Sequence, residues 1–120
     1  MLEELQELPD NVIGVRAVGE VEDDDYEDML VPTINDRLSR NEKIRLLYVL
    51  GAEFTGMEHD AMWEDAKLGF TTFNSYERIA VVTDADWIRR SVKAFGWLMP
   101  GEVRVFHIDR LADARSWITA

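Results

Sequence analysis

The sequence predicts an α/β domain: helices on both faces of a mostly parallel five-stranded sheet whose N-terminal strand runs antiparallel. Three observations lead there. Lys43–Gly51 (KIRLLYVLG) is an almost unbroken apolar run that stops at glycine, and only a strand covered on both faces carries such a run. Glu77–Phe95 (ERIAVVTDADWIRRSVKAF) repeats the scheme as strand, aspartate and helix. Strand and helix patterns then alternate to the end of the chain, which with right-handed crossovers gives a parallel core and three layers.

Taken in order, Leu2–Leu8 alternates loosely and Pro9-Asp10-Asn11 is turn chemistry. The strand that follows, Val12–Val21 (VIGVRAVGEV), is therefore expected to pair with it as an antiparallel hairpin. Gly14 and Gly19 mark bends or close backbone approaches. From Asp23 to Leu38, Tyr26, Met29, Leu30, Ile34 and Leu38 share one helical face. Asp23, Asp24 and Asp25 place cap acceptors and negative charge at the positive end of that helix. Pro32 removes a backbone donor, so a kink is expected between Asp28 and Pro32.

Ile44–Leu50 is the next strand, followed by an irregular acidic loop, Gly51–Asp60. Trp63, Ala66, Phe70 and Phe73 then recur at steps of three and four, a second amphipathic helix. After the strand Arg78–Val82, Asp84 is expected to cap a helix that turns Ile88, Val92 and Phe95 inward. Gly96 is expected to end it in the left-handed conformation. Trp97–Gly101 bridges to the strand Val103–Ile108, and Asp109 is expected to cap a last helix bearing Leu111, Ala114, Trp117 and Ile118. The segments around Leu47, Val81 and Val105 are expected to lie side by side as inner strands.

A chain of 120 residues makes one domain, 1–120, with a core that needs no crosslinks. Twenty-four acidic against thirteen basic side chains leave a net charge of −11. That field repels phosphate backbones and anionic membrane surfaces, so neither is an expected partner. The acidic residues gather in Glu20–Asp28 and Glu53–Asp65. With no cysteine, disulfides, thiol catalysis and zinc–thiolate sites are excluded. The start, MLEELQELPDN, has no signal-peptide pattern, and no apolar run reaches bilayer length. A water-soluble cytoplasmic domain without integral membrane association is expected.

The runs KIRLLYVLG, WEDAKLG, ERIAVVTDADWIRRSVKAFGWLMPGEVRVF and RLADARSWI resemble the SpoIIAA-like family of small bacterial proteins over essentially the whole chain. The resemblance implies the fold of anti-anti-sigma factors and STAS domains, and a more distant likeness to lipid-carrying CRAL-TRIO domains. Anti-anti-sigma factors carry a phosphorylatable serine at the start of the helix after the central strand. The corresponding stretch here, Gly51–Asp60, contains no serine, and its one hydroxyl, Thr55, stands between Glu53 and Glu58. A phosphate there would meet like charges. The phospho-serine switch is therefore not expected in this chain.

Ligands of open α/β sheets gather at the carboxyl ends of the strands, so the loop Gly51–Asp60 is the leading candidate site. Phe54, Thr55 and Met57 in it, with Trp63 and Phe70 beyond, are the expected ligand- or partner-binding residues. The plain alternative is that Phe54 and Met57 fold back as a lid on the core. Gly51 and Gly56 have phosphate-loop spacing, but Met57 and Glu58 replace the lysine and hydroxyl such a loop needs. His59 and His107 lie on separate elements, so no metal site is expected. Ser39, Ser75, Ser91 and Ser116 lack a glycine elbow. Trp63, Trp87 and Trp117 are expected to lay an indole face on the sheet. Trp97, Leu98 and Met99 form a candidate apolar interface.

These readings point to a non-catalytic module that acts through protein contacts without a cofactor, a homodimer being one form of such contact. Two other classes stay open. One is a carrier of a small apolar ligand such as a fatty acid, motivated by Phe54, Met57, Trp63, Phe70 and Phe73. The other is a small hydrolase or isomerase using Glu53 and Glu58, whose signature would be a buried carboxyl of raised pKa.

Overall fold

A computed structural model describes residues 1–57, 75–96 and 101–120, leaving aside the side chains of Met57 and Phe95. Its main sheet has the order β1 (Leu2–Glu4), β2 (Val12–Ala17), β4 (Ile44–Leu50), β6 (Tyr76–Thr83) and β7 (Glu102–Phe106). β1 is antiparallel to β2, and all later pairings in this sheet are parallel. One row of partners, Val15, Tyr48, Val81 and Val105, runs across the four parallel strands.

The apolar run of β4 is explained by burial on both sides. Ile44, Leu46, Tyr48 and Leu50 face one layer, which holds Tyr26, Leu30, Ile34 and Ile88. Leu47 and Val49 face the other, with Val12, Ala80, Val82, Ala114 and Ile118. The first layer is built from α1 (Asp23–Asp25), a π-helical turn (Tyr26–Leu30), α2 (Val31–Leu38) and α3 (Asp86–Phe95). The second is built from α4 (Leu111–Thr119) together with Leu5 and Leu8 from the connection between β1 and β2. Gly14 is the close approach its position suggested: a Cβ there would lie 2.5 Å from Leu8 Cδ1 and 3.0 Å from Leu5 Cβ.

Two arginines fasten α4 to the sheet. Arg45 on β4 donates to the Ile118 carbonyl at 3.1 Å, and Arg78 on β6 donates to the Trp117 carbonyl at 2.7 Å. Cations at carbonyl-rich helix ends are favourable. The guanidinium groups of Arg78 and Arg104 lie 5.2 and 4.8 Å from the Trp117 ring centre, so this indole does rest on the sheet.

The irregularity expected between Asp28 and Pro32 takes the form of the π turn Tyr26–Leu30, with Pro32 in the first turn of α2. The Thr33 hydroxyl donates to the Met29 carbonyl at 2.7 Å, which supplies hydrogen bonding beside the proline. Tyr26 and Tyr48 meet beneath this turn with hydroxyls 2.8 Å apart in the core. Phenylalanine at either position should lower stability by about 1 kcal/mol, with coupling of similar size in a double-mutant cycle read by urea unfolding.

Several sequence expectations need correction. Val12–Val21 is not one strand: Gly19, at φ 67°, turns the chain out of the main sheet. The remainder, β3 (Gly19–Val21), pairs with β5 (Phe54–Met57) in a separate parallel ribbon. β7 is an edge strand rather than an inner one. Its sequence, Glu102-Val103-Arg104-Val105-Phe106, alternates exposed charge with half-buried apolar residues, as a solvated edge does. Asp84 does not cap α3; the flanking residue is Ala85, whose N–H donates to Thr83 Oγ1 at 3.1 Å. Asp109 lies inside a 3-10 turn (Ile108–Arg110), and Arg110 flanks α4 without a side-chain cap. Gly96 is right-handed (φ −59°, ψ −29°) and its N–H still bonds to the Val92 carbonyl, so the helical turn runs through it. Trp87 stands half in water instead of lying on the sheet. The expected helix around Trp63–Phe73 lies outside the described residues.

At the turn before β2, Asp10 is gripped by Arg40, with Oδ1 2.8 Å from Nη2 and Oδ2 3.1 Å from Nε, and by Asn41. These bonds hold its pKa at about 2. Arg40 likewise holds the Asp36 carboxyl below the ordinary range. A depressed native pKa gives stability that is complete above the unfolded-state pKa and is lost as pH falls through the native one. Acid unfolding should therefore deepen between the ordinary carboxylate range and about pH 2. Asp10→Asn should flatten that limb in a urea titration repeated across pH.

Candidate functional site

The carboxyl ends of the inner strands β4 and β6 and of the edge strand β7 lie together, since Leu50 of β4 is in register with Thr83 of β6 and Val82 with Phe106 of β7. After Leu50 the chain turns at Gly51, whose carbonyl accepts the Phe54 N–H at 3.1 Å, and then forms β5. The Glu53 carbonyl accepts the Gly19 N–H at 2.7 Å and ties the turn to β3. What reads as an irregular loop is thus partly strand. It was illegible because its partner is only three residues long and distant in sequence.

Of the site residues expected here, Phe54 is half-buried against the core cluster on the α1–α3 side, the lid-like placement. Thr55 is exposed on β5, and Met57 ends that strand in register with Val21. Trp63 and Phe70, like Trp97, Leu98 and Met99, lie outside the described residues, as do Glu58 and His59. Glu53 is exposed to water.

The structure brings together a pair that sequence reasoning kept apart. Asp84 leaves β6 and His107 leaves β7, and Nδ1 of His107 donates to Asp84 Oδ1 at 2.9 Å. The same oxygen accepts the Ile108 N–H at 3.1 Å. These two bonds, the imidazole first, hold the Asp84 carboxyl below its ordinary range. Both side chains are well exposed. Arg89, one turn into α3, donates to the Thr83 carbonyl at 3.0 Å and adds positive charge beside Asp84. The available signal was positional: each residue is the first polar group after a strand in consecutive strand–helix units.

Two further features adjoin this end and edge. Trp87, 49% exposed, projects from the first turn of α3. A groove of about 460 Å³ runs between α3 and β7, lined by Val92, Lys93, Gly96, Gly101, Glu102, Val103 and Val105. Among the described residues no three metal-ligating side chains converge, and no helix is long and apolar enough to cross a membrane.

Comparison with known proteins agrees with this architecture. The SpoIIAA-like family profile matches residues 12–119. A crystal structure of an uncharacterised DUF3478-family protein with a SpoIIAA-like fold, from Shewanella loihica PV-4, superposes with a TM-score of 0.77 at 25% identity. The match covers 98% of this chain and 92% of that one. Among curated proteins nothing matches. With a five-stranded mixed sheet, one antiparallel hairpin at its start and a profile match through nearly its full length, the chain belongs to the SpoIIAA-like family.

Proposed function

We propose that this domain is a non-catalytic binding module acting through protein–protein contacts and operating without the phospho-serine switch. The observation that carries the reading is Trp87, a large aromatic side chain 49% exposed beside the carboxyl end of the sheet. Tryptophan is the residue type most enriched among the few that dominate contact energies. Two charged groups near it are already engaged, Asp84 with His107 and Ile108 and Arg89 with the Thr83 carbonyl, while Asp86 and Arg90 beside it are exposed. Thr55 supports the second part of the reading, because it lies on a strand. A phosphate there would lack the inward-pointing N–H groups of a helix start.

The test is affinity capture from native lysate with the wild-type domain against Trp87→Ala and Thr55→Lys. One protein enriched by the wild type and lost with Trp87→Ala is the expected result. Equal recovery by all three baits, or none above background, would remove the proposal.

The groove between α3 and β7 favours a second reading, a carrier of a small apolar ligand. Its size falls within the range of small-molecule sites and its walls include Val92, Val103 and Val105. Lys93 at its margin would suit a carboxylate head group. Organic extraction of the purified protein should then release a stoichiometric lipid, and a fatty-acid panel should raise the melting temperature. Neither effect should survive Val103→Glu.

A further inference from the structure

We infer that the helical face of this domain pairs with a second copy of itself, the outer surface of α3 in one protomer meeting the acidic start of α1 in the other. The inference builds on the contact reading above and names a partner for the Trp87 surface. α1 with its π turn and α3 pack on the same side of the sheet, through Tyr26 and Leu30 and through Ile88 and Val92. Their outer surfaces therefore face the same way. Those surfaces carry opposite charge. Glu20–Asp28 holds seven carboxylates and no base, with Asp24 and Asp28 exposed. Asp86–Phe95 holds Arg89, Arg90 and Lys93 against a single acid, Asp86, in a chain whose net charge is −11.

Among the described residues this layer is acidic on one side and basic on the other, which makes it complementary to itself. A two-fold axis normal to it sets each acidic segment against the partner's α3, making the same contact twice. Trp87 would supply the apolar centre, with Arg90 and Lys93 as the charged rim. Because these charges are exposed, the attraction acts within a Debye length and weakens as salt rises.

Sedimentation velocity over a concentration series tests the pairing, first at about 50 mM and then at about 500 mM salt, where screening is several-fold shorter. The wild type should dimerise at low salt and dissociate at high salt. Arg90→Glu with Lys93→Glu should weaken the dimer tenfold or more, as should Asp24→Lys with Asp28→Lys. Mixing the two charge-reversed proteins should restore association, since both contacts regain opposite signs. Trp87→Ala should weaken the dimer without changing its salt dependence. Circular dichroism of each variant reports whether the fold is intact.

A wild type that stays monomeric at high micromolar concentration in low salt would overturn the inference. So would a dimer indifferent to both charge reversals, or reversed proteins that fail to associate when mixed. None of these outcomes touches capture of a different protein through Trp87, so the contact reading stands or falls separately.

Discussion

Leu47→Ala should destabilise the domain by about 3–4 kcal/mol, seen as a fall in melting temperature of roughly 10–15 °C. Leu47 is fully buried at the middle of β4, the strand flanked by β2 and β6. It packs with Val12, Ala80, Ala114 and Ile118 between the sheet and α4. Truncation removes about three methylene equivalents from contact and leaves a cavity. The walls are sheet backbone and a helix fastened by Arg45 and Arg78, so little collapse can fill it. Val105→Ala, on the half-solvated edge strand, should cost about 1 kcal/mol. Equal losses at the two positions would contradict the distinction between inner and edge strands.

Gly101→Ala should cost about 3 kcal/mol, from crowding instead of a void. A Cβ at this position would stand 2.6 Å from the Tyr76 carbonyl oxygen and 2.8 Å from that of Glu77. Both neighbours are backbone at the start of β6, so no side chain can swing away. Relief requires β7 to separate from β6 where their ladder begins, around Arg78 and Glu102. Gly96→Ala is the matched control. There the backbone is right-handed and the nearest atom would be Val103 Cβ at 3.6 Å, an ordinary contact. That substitution should be neutral or stabilising by roughly 0.5–1 kcal/mol, because alanine loses less chain entropy on folding. Chemical unfolding of the two variants separates a close approach from a conformational role.

Much of the fold was legible because hydrophobic pattern reports burial directly. Ile44–Leu50 and Arg78–Val82 are apolar on both faces and proved to be inner strands; the helical steps through Tyr26, Leu30 and Ile34 proved to be a core face. The edge position of β7 was written in the alternation of Glu102 and Arg104 with Val103 and Val105, but the flanking apolar residues masked it. β3 and β5 were missed because three- and four-residue strands carry no periodicity of their own and exist only through each other. Of the expected caps, Asp25 does accept the Glu22 N–H at 2.8 Å at the start of α1, whereas those at Asp84 and Asp109 failed for a related reason. An aspartate before a helix satisfies whichever donor is nearest in space, and for Asp84 that donor came from the neighbouring strand's exit.

The candidate site was less legible. The end of the sheet could be placed from topology, and Phe54 and Thr55 do lie there, one against the core and one in water. The pairing of Asp84 with His107 depends on the register of β6 with β7, which no local pattern records. The exposure of Trp87 depends on the rotation of α3, and Ile88 and Val92 rather than Trp87 face the sheet.

Photocrosslinking from position 87 in living cells tests the contact role most directly. A photoreactive residue replacing Trp87 should give a discrete protein adduct. The same residue at Ser116, exposed on α4 over the opposite sheet face, should give none. Adducts of equal yield from both positions, or none from position 87 in a folded protein, would contradict the proposal that this surface is where the domain works.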